Sequence, residues 1–538
     1  MVKQYRLIKN SIDMSYFVVT PDGYDINKKY PLVVALHGTG TFGKTPREAF
    51  DSSIAYEGYK KFNPETVMLF PVSPYAAWSS QIKELKYIID LVCDRYNIDM
   101  MRVSIVGGSM GGCGMWNMIT EYPHFFAAAS PICSREMAWA AERIANMPIW
   151  IYHGGNDNVV LPERSEEMYE RIVSINPNNK DLHYTVVENT GHDSWNKAYL
   201  EDNIIGWLIS HKKKTFDVYV GSQTADGGIY RYKLTDGKLT FCEKYDEAGV
   251  SYLQIKRNKM YVTVNQELTK QGGVVCYDMD GERLKNRSAL YNSYGKSCCH
   301  IQIDDSRNIY MVNYLDGNVV KLNMDSGETE LVYHKGDGIN KPRQDKEHTH
   351  QIAFTPDGKF FAVCDLGTDI IHIYDFDMKE VSKVHAVPGS GPRHILFADD
   401  EKLAYCVNEL DNTVTVYAYS EGVLTRLESY NMLPFGYPDL TTAAAIRING
   451  KYLYASTRGH DSITRFEICG DILKYVDNTK VEGKRPRDFN VSPDGKHLIC
   501  ANEGGEGNIT LFNILEDGSL EYTGTEFNVP GALCVIFA

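Results

Sequence analysis

Two short runs, His350-Gln351-Ile352-Ala353-Phe354 and Val363-Cys364-Asp365, decide the architecture of most of this chain. The second run is an apolar strand that stops at a small polar or acidic residue. The same ending recurs at Val220-Gly221-Ser222, Thr263-Val264-Asn265, Met311-Val312-Asn313, Cys406-Val407-Asn408, Ala455-Ser456-Thr457 and Cys500-Ala501-Asn502. Successive final residues lie 43, 48, 52, 43, 49 and 45 positions apart. Seven copies at a period of about 40–50 residues, each with several short strands, predict an all-β seven-bladed β-propeller over residues 217–538.

The ends of the repeat fit a closed ring. Six copies have an inner strand before the repeated one, as His300-Ile301-Gln302-Ile303 does in the third. The first copy, from Asp217, has none, and Ala532-Leu533-Cys534-Val535-Ile536-Phe537 stands unpaired at the other end. Joining the two completes the first blade and removes an exposed sheet edge.

Residues 1–211 follow a different pattern. Apolar strands at Pro31–Leu36, Arg102–Val106 and Pro148–Tyr152 alternate with helical spacing such as Ile82, Leu85, Ile88, Ile89 and Val92. This alternation predicts a mainly parallel sheet covered on both faces. A final helix near Asn203–His211 runs into Lys212-Lys213-Lys214, which places a linker at 212–216.

The chain has 538 residues, 43% of them hydrophobic, and a net charge of −14. Nineteen basic residues face 24 acidic ones up to residue 211, and 37 face 46 beyond it. Acidity in both parts argues against binding to nucleic acid or an anionic membrane. No run approaches the roughly 18 apolar residues of a membrane span, and the first residues lack a signal-peptide pattern. The twelve cysteines form no CxxC pair. Cys364, Cys406, Cys500 and Cys534 sit in apolar strands as small hydrophobes, and only vicinal Cys298-Cys299 stands out. A reduced, cytoplasmic protein without metal or cofactor is expected.

Gly107-Gly108-Ser109-Met110-Gly111 lies between a strand and a helix, the context in which GxSxG exposes a nucleophilic serine. Asp157 follows the strand ending at His153, and His192 follows Tyr184–Val187, giving the order Ser, Asp, His. His192 would take the Ser109 proton and Asp157 would fix its tautomer. Backbone N–H groups of Met110 and Thr39 are the expected oxyanion donors. His37 and His153, each before a loop glycine, are expected to be structural, and Asp193 is a competitor beside His192. These residues, with Tyr30–Gly38 and Gly191–Trp195, resemble the α/β-hydrolase esterases of the predicted-peptidase and feruloyl-esterase-like group. The resemblance covers nearly all of residues 1–211 and implies an α/β-hydrolase domain that cleaves carboxylic esters.

In a blade the start of the inner strand and the end of the second lie on one face, because the two run antiparallel. The inner-strand starts offer His300, His348, His350, Arg393, His394 and Arg487. The second-strand ends offer Asn313, Asp365, Glu409, Arg458 and Glu503. Arginine and histidine gathered at one mouth suit an anionic substrate or a developing oxyanion. Asp365, Asp369, Asp461 and Asp488 also suit bonds between blades.

The motifs Tyr219–Ser222, Asp365–Asp369, Gly391-Pro392-Arg393-His394, Arg458–Ile463 and Pro486–Phe489 resemble the seven-bladed lactonase family of propeller-type 6-phosphogluconolactonases and carboxymuconate cyclases. The resemblance implies His350, Arg393, Glu409 and Arg458 as active-site residues. Thr457 and Glu503 depart from it, standing where Asn and Gln are common. The combined expectation is a bifunctional ester hydrolase with small-molecule ester and lactone substrates. The alternatives are a silent propeller that binds or assembles, and a propeller cycloisomerase.

Overall fold

In a computed structural model, the chain divides into two units. One comprises Met1–Thr215 with Asp280–Arg283, the other Phe216–Met279 with Leu284–Ala538. The structure describes all residues except 10–11, 75–76, 136–137, 258, 267–268, 281–282, 399–400 and 438. Among the described residues no helix is long and apolar enough to cross a membrane.

The first unit is built on one eight-stranded mixed sheet. Its strands are β1 (Val2–Lys9), β2 (Ile12–Val19), β3 (Tyr30–Leu36), β4 (Val67–Val72), β5 (Ile98–Gly108), β6 (Ala128–Ile132), β7 (Ile149–Gly154) and β8 (Leu182–Val187). The spatial order is β1-β2-β4-β3-β5-β6-β7-β8. From β4 to β8 neighbours run parallel, and the first two strands join antiparallel. Alternation along β3 sends Leu32 and Val34 to one face, where they meet Leu85 and Ile88 of helix Ile82–Arg95. Val33 and Ala35 go to the other face, against Phe50 and Leu208. Each buried Val, Leu or Ile side chain contributes about 1.5–3 kcal/mol, so a sheet covered on both faces supports a near-continuous apolar strand.

The stretch 212–216 is not a free linker. Lys213 N–H bonds Met101 O at 2.9 Å, and the first propeller strand already begins at Thr215.

The second unit is a seven-bladed β-propeller of seven antiparallel sheets. Inner strands are Val250–Lys256, Cys298–Ile303, Thr349–Phe354, Pro392–Phe397, Thr442–Asn449 and Pro486–Val491 in blades two to seven. Blade one is completed by Ala532–Phe537, which pairs with Thr215–Ser222 through Val535–Val220 and its neighbours. The ring closes as the repeat predicted.

Each inner strand opens with a bulge, which repetition in the sequence does not reveal. Thr349 pairs with Asp365 and Gln351 with Cys364, leaving His350 unpaired. The same slip leaves out Leu533, Ser251, Cys299, Arg393 and Arg487, and in blade six it sets Ala444 and Ala445 against Ser456. A bulge re-aims the extra side chain. Of these re-aimed residues, Ser251, Cys299, His350, Arg487 and Leu533 line one cavity.

Candidate active sites

In the first unit β5 runs into helix Met110–Glu121 through Ser109, whose φ of 55° is strained for a residue with a side chain. The turn is tight enough to require glycine on both sides. A Cβ on Gly107 would lie 2.3 Å from Gly111 O, and one on Gly111 would lie 2.2 Å from Leu36 O. Ser109 N–H bonds Ile132 O at 2.8 Å.

The three residues read from the sequence meet in one line. Ser109 Oγ is 2.8 Å from His192 Nε2, and His192 Nδ1 is 2.7 Å from Asp157 Oδ2. The Asp157 side chain is fully buried. Burial pushes its carboxyl up, but the bonds from His192 and from the Val159 and Val160 N–H groups outweigh this and hold it below the ordinary value. It is therefore an ionised acceptor that makes Nδ1 the protonated nitrogen and leaves Nε2 to face the serine.

Thr39 opens a short 3₁₀ turn, Thr39–Thr41, and the preceding Gly38 lies against the elbow, 3.4 Å from Ser109 Cβ if given a Cβ of its own. Met110 is the first residue of its helix, where the N–H has no intrahelical acceptor. His37 holds this loop: Ser73 N–H donates to Nε2 at 2.9 Å, so Nδ1 donates to Gly38 O at 2.9 Å. His153 bonds Ser165 Oγ at 2.7 Å and Val160 O at 2.8 Å, bracing the Asp157 turn. Both histidines are occupied within these loops, His153 Nε2 also lying 3.2 Å from Asp157 Oδ2, and Asp193 is exposed beside His192.

In the propeller a cavity of about 1020 Å³ is lined by His350, Glu409, Arg458 and Arg487 among the expected residues. Glu409 is its electrostatic centre. One carboxylate oxygen accepts from Arg343 Nη2 at 2.5 Å, the other from Arg393 Nε at 3.0 Å and lies 2.9 Å from Arg458 Nη2. Burial pushes the Glu409 carboxyl up, and Arg458 and Arg393 override it and hold the group well below its usual range. Three guanidinium groups engage both oxygens of this carboxylate, which leaves it little free capacity to bind a water and take its proton.

A second carboxylate, Glu503, takes Arg485 at 3.1 Å and lies 3.8 Å from Arg487 and 3.9 Å from Arg458. Glu503 therefore adds a counter-charge among the arginines. Five guanidinium groups surround two carboxylates, leaving an excess of three positive charges.

His350 Nδ1 has no hydrogen-bond partner among the described residues. Burial first, then Arg393, holds the imidazole well below its ordinary value, so it is neutral at neutral pH. His394 stacks edge-on at 5.1 Å, and His300 at 5.9 Å from His394. His300 packs on Tyr252 and does not line the cavity. Arg393 is likewise behind it, donating to Ala444 O at 2.6 Å.

Asp365 does not reach the cavity, which corrects its place among the site residues. It binds His334 Nδ1 at 2.7 Å and the backbone N–H groups of His348 and Gly367. Asp369, Asp461 and Asp488 similarly bond the next blade, through Gly391, Arg485 and Val535 N–H. Arg343 and Arg485 were not singled out from the sequence. Arg343 sits in the long connection 334–348 and Arg485 just before an inner strand, both outside the repeated positions.

The family model for the seven-bladed β-propeller lactonases matches residues 217–537. An uncharacterized protein of Staphylococcus aureus is 35% identical over 340 residues, 59% of this chain and 99% of the relative. An uncharacterized Lactococcus lactis protein is 35% identical over 335 residues, covering 57% and 95% of the two chains. A Bacteroides fragilis crystal structure designated a candidate 6-phosphogluconolactonase is 26% identical, covers 60% of this chain and 98% of its own, and has a TM-score of 0.55. With seven sheets closed into a ring and the family match extending over more than half of the residues, this chain belongs to the seven-bladed β-propeller lactonase family.

Proposed function

We propose that the chain is a bifunctional carboxylic-ester hydrolase, an α/β-hydrolase serine esterase joined to a propeller lactonase that opens an anionic lactone. The observation that carries the first activity is the line Ser109–His192–Asp157 at 2.8 and 2.7 Å. His192 Nε2 takes the Ser109 proton as Oγ attacks the ester carbonyl, and returns it to the departing alcohol oxygen. Water then cleaves the acyl-serine by the same route in reverse. Met110 and Thr39 N–H groups hold the oxyanion. A serine-directed fluorophosphonate that labels Ser109, and loss of both labelling and aryl-ester hydrolysis in Ser109→Ala, is the expected result. Hydrolysis that survives Ser109→Ala would defeat this assignment.

The propeller reading is supported by the excess of guanidinium groups beside a neutral imidazole. Arg458 and Arg487 face the cavity and would stabilise the tetrahedral oxyanion. His350 would accept the proton of the attacking water and pass it to the ring oxygen as the carbon–oxygen bond breaks. Glu409 orients the arginines. A lactone panel assayed with Ser109→Ala, which removes the esterase background, tests this.

A second reading is favoured by the pairing already present. Every arginine of the cluster has a carboxylate neighbour, which suits a module that binds an anion without turning it over. Saturable anion binding with no lactone opened or formed would select that reading, and lactone formation from an unsaturated diacid would make the propeller a cycloisomerase.

A further inference from the structure

The seven bulges divide the propeller cavity into two chemically different halves. Blades four, five and seven bring His350, Arg393 and Arg487 to the bulge positions, with Arg343, Arg458 and Arg485 beside them. Blades one to three bring Leu533, Ser251 and Cys299 to the same positions. These three carry no charge into the cavity. Ser251 Oγ bonds Thr263 Oγ1 at 2.7 Å and Cys298 O at 2.8 Å, so its polar capacity is used within the wall. Asn265, also in the wall, is locked onto Ser251 Oγ and the Cys298 backbone. Burial pushes the Cys299 thiol up to about 12, and its Sγ lies 3.3 Å from His350 O. What this half offers a ligand is the apolar Val264, Leu533, Ala248 and Leu290, the last 47% exposed, together with the uncharged polar side chains of Gln223, Thr224, Gln266, Gln271 and Ser297. Its ion pair, Arg287 bidentate on Glu247, cancels itself, and among the described residues Lys270 is its remaining lining cation.

Size makes the same distinction. Cavities for drug-sized ligands span about 300–1,000 Å³, and this one, at about 1020 Å³, stands at the top of that range. A single six-carbon lactone held by the arginines would leave the half against blades one to three to water, and apolar ligand surface gains by displacing it where it faces Leu290 and Val264.

We propose that the propeller takes a two-part ligand: an anionic lactone held by the arginines, bearing an uncharged substituent of at least aromatic-ring size against blades one to three, with its apolar contact at Leu290 and Val264. The anionic-lactone part rests on the lactonase reading; the substituent rests on the division of the cavity.

Calorimetric binding to the full chain separates the two. The probes are a phosphorylated δ-lactam of a six-carbon sugar, which cannot be hydrolysed, and the same lactam carrying an O-benzyl group remote from the phosphate. The benzylated lactam should bind at least tenfold more tightly. Leu290→Arg and Val264→Asp should bring that ratio close to one, and Leu290, at an exposed position, keeps the test valid if Val264→Asp does not fold. Equal or weaker binding of the benzylated lactam overturns the inference, as does a ratio indifferent to Leu290→Arg. Lactams that bind with the expected preference while the matching lactones stay closed would defeat the lactonase reading alone. Failure of both lactams to bind would defeat both.

Discussion

The serine site and the arginine cluster are both networks centred on a buried carboxylate, yet one has an open end and the other closes on itself. In the first, a single carboxylate holds one imidazole, whose far nitrogen points at a hydroxyl with nothing left to satisfy but a reagent. In the second, Glu409 answers three guanidinium groups and Glu503 lies near three. An anion entering the propeller therefore competes with carboxylates already in place. Such counter-charges also stabilise the site, since removing one partner of a buried ion pair costs about 3–5 kcal/mol. Reactive groups can thus be stored either by leaving one valence free or by balancing charge until a ligand re-divides it.

The comparison breaks most sharply at Ser109. Ser109→Ala should lower aryl-ester hydrolysis by roughly 10⁴–10⁶, the range seen when a member of a triad is lost, while anion binding by the propeller, followed by calorimetry, stays as it was. Next in size, Arg458→Ala should lower lactone opening by about 10²–10³ and leave ester hydrolysis intact; matched losses in both assays would mean that the two sites are not separate. Glu409→Gln sharpens the contrast in stability. It leaves three guanidinium groups facing a neutral amide, and a loss of about 3–5 kcal/mol in denaturant unfolding is expected. A variant of full stability that has lost only turnover would instead make Glu409 the base.

The smallest effect is in pH. His300 is pushed down to about 3, by burial and then Arg447 and Arg393, and His350 and His394 are also lowered, chiefly by burial. These imidazoles are neutral when folded, whereas in the unfolded chain they protonate near 6.5. The unfolded state then binds more protons below that value, so stability should fall as pH drops from about 6.5 toward 3. Melting temperatures measured at pH 7, 6 and 5 should decline stepwise, and His300→Phe should flatten the decline. A melting temperature constant from 7 to 5 would contradict neutral burial of the three rings.

How far the sequence could be read differs between the two sites for a physical reason. A nucleophile elbow is local: Gly107, Ser109 and Gly111 are dictated by one turn, and Asp157 and His192 each follow a strand that periodicity locates. The propeller's cavity is assembled from seven copies of one position. The repeat gave the blades, and strand ends gave His350, Arg393, Glu409, Arg458 and Arg487. The bulge that aims three of these side chains is a one-residue slip in pairing, visible only against the partner strand. Arg343 was hidden because it comes from a connection that no other blade shares, and Asp365 was misplaced because a strand end can face either the cavity or the neighbouring loop. Glu409 was found as a residue, but its pairing with three arginines depends on contacts no spacing encodes.

Closure of the first blade by Ala532–Phe537 also sets a clock on biosynthesis. Ser222 finds its hydrogen-bond partner Pro530 only 308 residues later. At about 5–20 residues per second, roughly 15–60 s pass between the emergence of the two. During that interval the strand Thr215–Ser222, with Val218 and Val220 destined for full burial, lacks its inner neighbour. The nascent propeller is an arc with one raw edge, while every strand of the mixed sheet has already been made. Holding that edge away from other nascent chains is the task this topology hands to the ribosome's surroundings.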